Sequence, residues 1–212
     1  MGSGGAAASA PGAGTSGAAA VPLRFVFVAN YILARRPDAR PPLPARSASA
    51  LASALASLGL AAFRPFPVNH IMDSHGLRLE GRAGWKVVFS ADTRPCAQTV
   101  EAARGATLLV HEATFEEGMQ GEARAKKHST TAEAVEVGEK AGAYRTLLTH
   151  FSTRYPTLPE LDLSPHPSVG VAMDLMAVNL ADLPGLPALV RPLGMLFKLM
   201  EEEKMADGAE EE

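Results

Sequence analysis

Three short apolar runs, separated by segments long enough for a helix, constrain this chain more than any other feature. They are Lys86-Val87-Val88-Phe89-Ser90, Thr107-Leu108-Leu109-Val110 and Thr146-Leu147-Leu148-Thr149. Each has the length and the β-branched or aliphatic content of a strand. Helices fit between them. In residues 93–104, Thr93 can cap, Pro95 falls in the first turn and Gly105 comes just past the end. Thr130-Thr131-Ala132-Glu133 reads as a capping box opening a helix that runs to about Ala141. Strand–helix–strand alternation without an internal repeat predicts an α/β fold.

The residues just past each run carry the chemistry. The first run ends in Ala91-Asp92-Thr93, the second in His111-Glu112-Ala113-Thr114 and the third in His150-Phe151-Ser152. In α/β folds the carboxyl ends of the strands line the ligand crevice, so these groups are expected to meet at one sheet edge. His70 and His128 join the candidates, the latter just before a helix N-terminus, where the dipole favours an anion such as phosphate. His75 and His166 read as loop or surface histidines. His and Asp are ligands for Zn²⁺ or Mn²⁺, and a shared carboxylate can bridge two ions ~3.5–4 Å apart in a hydrolytic site. The single cysteine, Cys96, excludes an intrachain disulfide and a Cys-rich zinc site. It falls in a helix's first turn and reads as a small packed side chain.

The two ends differ from this middle. Seventeen of residues 1–20 are Gly, Ala or Ser, too poor in large apolar groups to offset the entropy of ordering, so 1–22 is expected to be a disordered leader. Residues 23–60 read as a remnant strand at Arg24–Val28, a Pro-rich linker and an Ala-rich helix with Leu51, Leu55 and Leu58 on one face. The formal net charge of −3 shows no global basic excess, yet residues 1–64 hold six Arg and one acid, Asp38. That acid-poor, Ala/Ser/Arg-rich stretch fits a mitochondrial or chloroplast transit segment as well as a biased leader; without transit, nucleus or cytosol is expected. Residues 61–198 have the texture of a folded domain, and 199–212, with Glu201–Glu203 and Glu210–Glu212, that of an acidic disordered tail. No apolar run approaches the ~18 residues of a membrane helix, so no membrane partner is expected.

Taken together, Val68-x-His70, Phe89-Ser90-Ala91-Asp92-Thr93-x-Pro95-Cys96, His111-Glu112-Ala113-Thr114, His128-Ser129-Thr130 and His150-Phe151-Ser152-x-Arg154-Tyr155 resemble tRNase Z in content and order. This is the metallo-β-lactamase-fold endonuclease that removes the 3′ trailer of precursor tRNA, and the likeness is to the C-terminal half of its long eukaryotic form. The resemblance implies the C-terminal half of an αββα sandwich, truncated on its N-terminal side. It implies that His70 ligates one zinc, Asp92 bridges two and His150 ligates the other. Glu112 would orient His128, and His128 would protonate the departing 3′-oxygen as a general acid. Each role suits its residue type, since a leaving oxyanion needs an imidazolium within reach and a carboxylate behind an imidazole stabilises that form. Ser129, Thr130 and Arg154 are the expected substrate contacts. His111, on the opposite face of its strand from Glu112, is given a structural role.

One part of the family pattern is absent. Its main metal motif, His-x-His-x-Asp-His, has no counterpart among six histidines at positions 70, 75, 111, 128, 150 and 166. Phe25–Val28 passes instead through Ala29-Asn30 into Tyr31–Arg36, and neither Asn30 nor Tyr31 is a good zinc ligand. Three ligands are expected to hold at most one zinc, weakly, and a second protein chain could complete the fold. Two further readings stand: a non-catalytic RNA- or protein-binding half-domain that pairs with another chain, and, against the HEAT and HST words, a metallo-hydrolase of small esters.

Overall fold

The computed structural model describes residues 45–152, 163 and 165–209. The leader and the strand expected at Arg24–Val28 lie outside them. Among the described residues, helix α1 (Ala45–Ser57) leads into β1 (Leu60–Pro67), β2 (His75–Gly81) and β3 (Lys86–Phe89). Next come α2 (Ala97–Ala103), β4 (Leu108–Glu112), α3 (Gln120–Lys126), α4 (Thr131–Ala141) and β5 (Thr146–Thr149). Then β6 (Val169–Val171), a 3₁₀ turn at Leu180–Asp182 and α5 (Leu186–Ala209) close the order. The strands form one sheet in sequence order. β1, β2 and β3 pair antiparallel, and β3 through β6 pair parallel.

The three apolar runs become the central parallel strands because they can be buried on both faces. On one face Val88 and Leu109 pack with Ala102 and Ala103 of α2 and Val137 and Ala141 of α4. On the other, Leu108 and Leu147 meet Leu183, which follows the 3₁₀ turn, and Leu186, the first residue of α5. Close approach of α4 to β5 depends on Gly138, where an added Cβ would lie 2.1 Å from Thr146 Oγ1. The expected capping box is formed: Thr130 accepts from the Glu133 amide, and the Glu133 carboxylate accepts from the Thr130 amide.

Several elements differ from the sequence reading. The hairpin of β1 and β2 is additional; Pro65 and Pro67 obscure it, and they are tolerated because β1 is an edge strand of the described sheet. His75 opens β2, half-buried, with Nδ1 2.7 Å from the Asp73 carbonyl, rather than sitting in a loop. Helix α2 starts later than expected, at Ala97; Cys96 is its N-cap, and the Thr93 amide is bonded to Glu112 at the end of β4. Helix α5 continues through the acidic stretch to Ala209, where a disordered tail is expected from 199. Among the described residues, no helix is long and apolar enough to cross a membrane.

Candidate active site

The carboxyl ends of β3, β4 and β5 converge, as parallel strands require. Glu112, the last residue of β4, is 2% exposed, and a carboxylate so buried must have its lone pairs satisfied. Five hydrogen bonds do this. Oε1 accepts from the Thr93 amide (2.8 Å) and from His128 Nδ1 (2.9 Å). Oε2 accepts from the Ser129 amide (3.1 Å) and from the amide (3.2 Å) and hydroxyl (2.8 Å) of Thr114. Glu112 is thus the hub that ties three loops together.

His128 is held from two sides. Its Nδ1 donates to Glu112, which leaves Nε2 as its free nitrogen, and its carbonyl accepts from Arg94 Nη1 at 2.6 Å. Arg94 also grips both oxygens of Glu133, with both side chains largely shielded from water. Burial pushes the Glu133 carboxyl upward, and hydrogen bonds from Arg94 and the Thr130 amide, with the charge of Arg94, more than reverse this and hold it below its ordinary range. Two isolated β-bridges complete the frame: Asn69 with Arg94, and Phe115 with Thr130.

His70 and His150 flank Asp92. The His70 Nδ1 donates to the Lys127 carbonyl (2.9 Å), so Nε2 carries the lone pair, 4.0 Å from Asp92 Oδ2. His150 Nδ1 lies 3.5 Å from Asp92 Oδ1 and 2.8 Å from Thr114 Oγ1. The rings of His70 and His150 pack against that of His128, with centroids 4.7 and 5.5 Å away. The local backbone is strained to achieve this. Ala91, Lys127 and His150 adopt left-handed φ values of 53°, 59° and 62°, a conformation that costs a residue with a Cβ about 1–2 kcal/mol. One precedes Asp92, one precedes His128 and offers its carbonyl to His70, and the third is a site residue.

Two sets of three residues have ligand atoms all within 4.8 Å of one another: His70, Asp92 and His128, and Glu112, His128 and His150. The expected trio of His70, Asp92 and His150 is gathered around one carboxylate but is not such a set among the described residues. Ser129 and Thr130 are corrected as substrate contacts. Both are fully buried: the Ser129 hydroxyl donates to the Thr93 carbonyl (2.6 Å) and its amide to Glu112, while both polar groups of Thr130 serve the capping box. The capping box uses the Thr130 and Glu133 amides, and the Thr131 amide is bonded to the Phe115 carbonyl. Arg154 lies outside the described residues. His111 is buried, with Nδ1 donating to the Glu112 carbonyl, and burial lowers its pKa. Cys96 Sγ packs 3.2 Å from Thr99 Oγ1, and His166 pairs with Glu139.

The sequence reading gave no role in the site to Thr114, Arg94 or Glu133. Thr114 was visible only as the last letter of the HEAT word. Glu133 was visible as half of a capping box, and nothing local marked Arg94 as its partner.

Consecutive parallel strands thus bring histidines and carboxylates to one sheet edge. A family model described as a beta-lactamase superfamily domain matches residues 33–151, and the chain belongs to that superfamily. Within it, the chain is 46% identical over 158 residues to the mitochondrial tRNase Z TRZ4 of Arabidopsis thaliana, covering 70% of this chain and 17% of that protein. It is 42% identical over 147 residues to zinc phosphodiesterase ELAC protein 2 of Homo sapiens, covering 69% of this chain and 18% of that one. A crystal structure of a long form RNase Z from yeast superposes with a TM-score of 0.61 at 28% identity, covering 69% of this chain and 21% of that chain. The chain thus spans between 17% and 21% of these relatives.

Proposed function

We propose that this chain supplies the proton-donating pair and part of the metal-ligand set of a tRNase Z-type phosphodiesterase, which removes the 3′ trailer of precursor tRNA. The observation that carries the reading is the Glu112–His128 hydrogen bond beside an Asp92 flanked by two imidazoles. The names of the relatives supply the substrate.

In this reading His128 protonates the 3′-oxygen that leaves the tRNA end. With Nδ1 committed to Glu112, the imidazole presents Nε2 to the substrate, and the buried carboxylate stabilises the charged ring before transfer. Thr114 gives its hydroxyl proton to Glu112 and so fixes the angle between the two groups. His70, Asp92 and His150 are the family-derived zinc ligands, and their donor chemistry fits zinc: imidazole nitrogens oriented by backbone carbonyl or hydroxyl partners, and a half-exposed carboxylate. Zinc bound there would supply a water activated near neutral pH. Without a His-x-His-x-Asp-His motif the chain offers ligands for one ion, and a second protein chain carrying that motif is the proposed partner for cleavage. An organellar location is proposed on the mitochondrial relative and the Arg-rich, acid-poor N-terminal composition.

The test is cleavage of a 3′-extended tRNA by the zinc-loaded chain, alone and mixed with a separately expressed tRNase Z fragment bearing the motif. Cleavage at the 3′ boundary in the mixture, lost with His128→Ala, is expected. No cleavage in either arm overturns the assignment, and full cleavage by the chain alone overturns the need for a partner.

A further inference from the structure

Helix α5 carries more apolar surface than the domain covers. Its inner row, Leu186, Val190, Leu193 and Phe197, recurs at three- and four-residue steps and is buried or half-buried. Leu186 sits close over Gly170 of β6, where an added Cβ would lie 3.2 Å from the leucine Cβ. On a solvated helix the opposite side is polar. Here that side holds Leu189, Met195, Leu196, Leu199 and Met200, each between 44% and 59% exposed. A helix apolar on both sides is one that is covered on both sides, and a contiguous exposed apolar row marks a contact surface. Charge is segregated along the same helix. Arg191 lies near its start, and Glu202 and Glu203 lie three turns further on, all three exposed. Arg191 and Glu202 fall about 20° apart around the helix axis, on the Met195 margin of the apolar row.

We infer that α5 is a dimerisation helix, whose outer apolar row packs against the same row of a second copy of this chain, antiparallel about a two-fold axis near Leu196. In a two-fold contact one patch meets itself, so the patch must be complementary to its own rotated image. The apolar row satisfies this, and the charges select the direction. Parallel pairing would set Arg191 against Arg191 and Glu202 against Glu202, and like charges facing each other reject that arrangement. Antiparallel pairing sets Arg191 of each protomer beside Glu202 and Glu203 of its partner, giving two complementary contacts at the rim. Leu196, Leu199 and Met200 of both protomers then fill the middle. Apolar burial drives the association, since exposed ion pairs add little and serve to fix register. The row has five side chains, against the roughly 20–30 residues a side of a standard interface. The dimer is therefore expected to dissociate on dilution. None of these residues belongs to the site of Asp92 and His128, so the association stands apart from the nuclease reading.

The experiment is sedimentation velocity of the full chain between about 1 µM and about 1 mM. A shift from monomer to dimer across that range is expected. Leu196→Glu sets two carboxylates at the axis and should leave a monomer throughout, with the far-UV circular dichroism unchanged because the side chain is exposed. Leu199→Gln introduces no charge and should weaken the dimer in the same direction. Arg191→Glu should raise the dissociation constant about tenfold, the effect of losing two exposed ion pairs. Combining it with Glu202→Arg and Glu203→Arg should restore the original value. A monomer at every concentration, or a dimer that both Leu196→Glu and Leu199→Gln leave intact, overturns the inference. Should Leu196→Glu lose helix content, Leu199→Gln and the charge exchange decide the matter. A charge exchange that fails to restore association overturns the antiparallel arrangement.

Discussion

Replacing Arg94 with methionine tests whether the loop that carries His128 is held by a buried charge pair. Methionine keeps much of the aliphatic volume and removes the guanidinium. Three hydrogen bonds are lost, two to Glu133 and one to the His128 carbonyl. Exposed ion pairs are worth about 0–1 kcal/mol, whereas stranding one partner of a buried pair costs about 3–5 kcal/mol. Side-chain exposures of 15% and 21% put this pair near the buried limit, and a loss of about 3 kcal/mol is expected. For a domain of this size that lowers Tm by roughly 6–12 °C. Urea unfolding at pH 7 and pH 3.5 gives a sharper check. In the native protein the Glu133 carboxyl is held below its unfolded value of about 4.3. Its contribution is therefore fully present above that pH and drains away as the pH falls through the folded value. Without Arg94, burial acts with too little opposition, Glu133 binds a proton more readily in the fold, and the penalty shrinks at pH 3.5. Adding Glu133→Gln should recover on the order of 1 kcal/mol at pH 7, since no charge is stranded. A penalty below about 1 kcal/mol, or one equal at both pH values, would refute the argument.

Single residues give further expectations. In the cleaving mixture, His128→Ala should lower kcat by about 10²–10⁴-fold with RNA affinity unchanged; an equal loss of affinity contradicts the acid role. Lys127→Gly should raise stability by up to about 1 kcal/mol in urea unfolding, because glycine relieves the left-handed φ of 59° while the carbonyl that holds His70 remains. A fall in stability would show that the lysine side chain outweighs the strain. His111 is buried with a lowered pKa, so it folds neutral and its contribution drains as the pH falls below about 6.5. His111→Phe should flatten the urea midpoint between pH 7 and pH 5, and an unchanged slope would contradict that assignment.

Much of this protein was legible locally. Strand composition located three of the four parallel strands, β6 being the exception, and the Thr130–Glu133 capping box fixed the start of α4 to the residue. These signals read well because strand propensity and helix capping act within a few residues of the chain. Period two placed Glu112 on one face of β4 and His111 on the other, and strand ends in an α/β sheet must share an edge. The hairpin of β1 and β2 was hidden because proline is excluded only from inner strands, and edge position is a property of the sheet.

Tertiary structure decided the assignment of protons and partners. Residue types named His70, Asp92, Glu112, His128 and His150 as reactive, but the Lys127 carbonyl and the Glu112 carboxylate, which only accept, determine that His70 and His128 donate through Nδ1. The same holds for Ser129 and Thr130, apt for phosphate by type and consumed by Thr93, Glu112 and Glu133 inside the fold. A residue's type fixes the reactions open to it. Which of them remains open depends on hydrogen bonds across 16, 36 or 57 positions of chain, and only folding brings those groups within 3 Å.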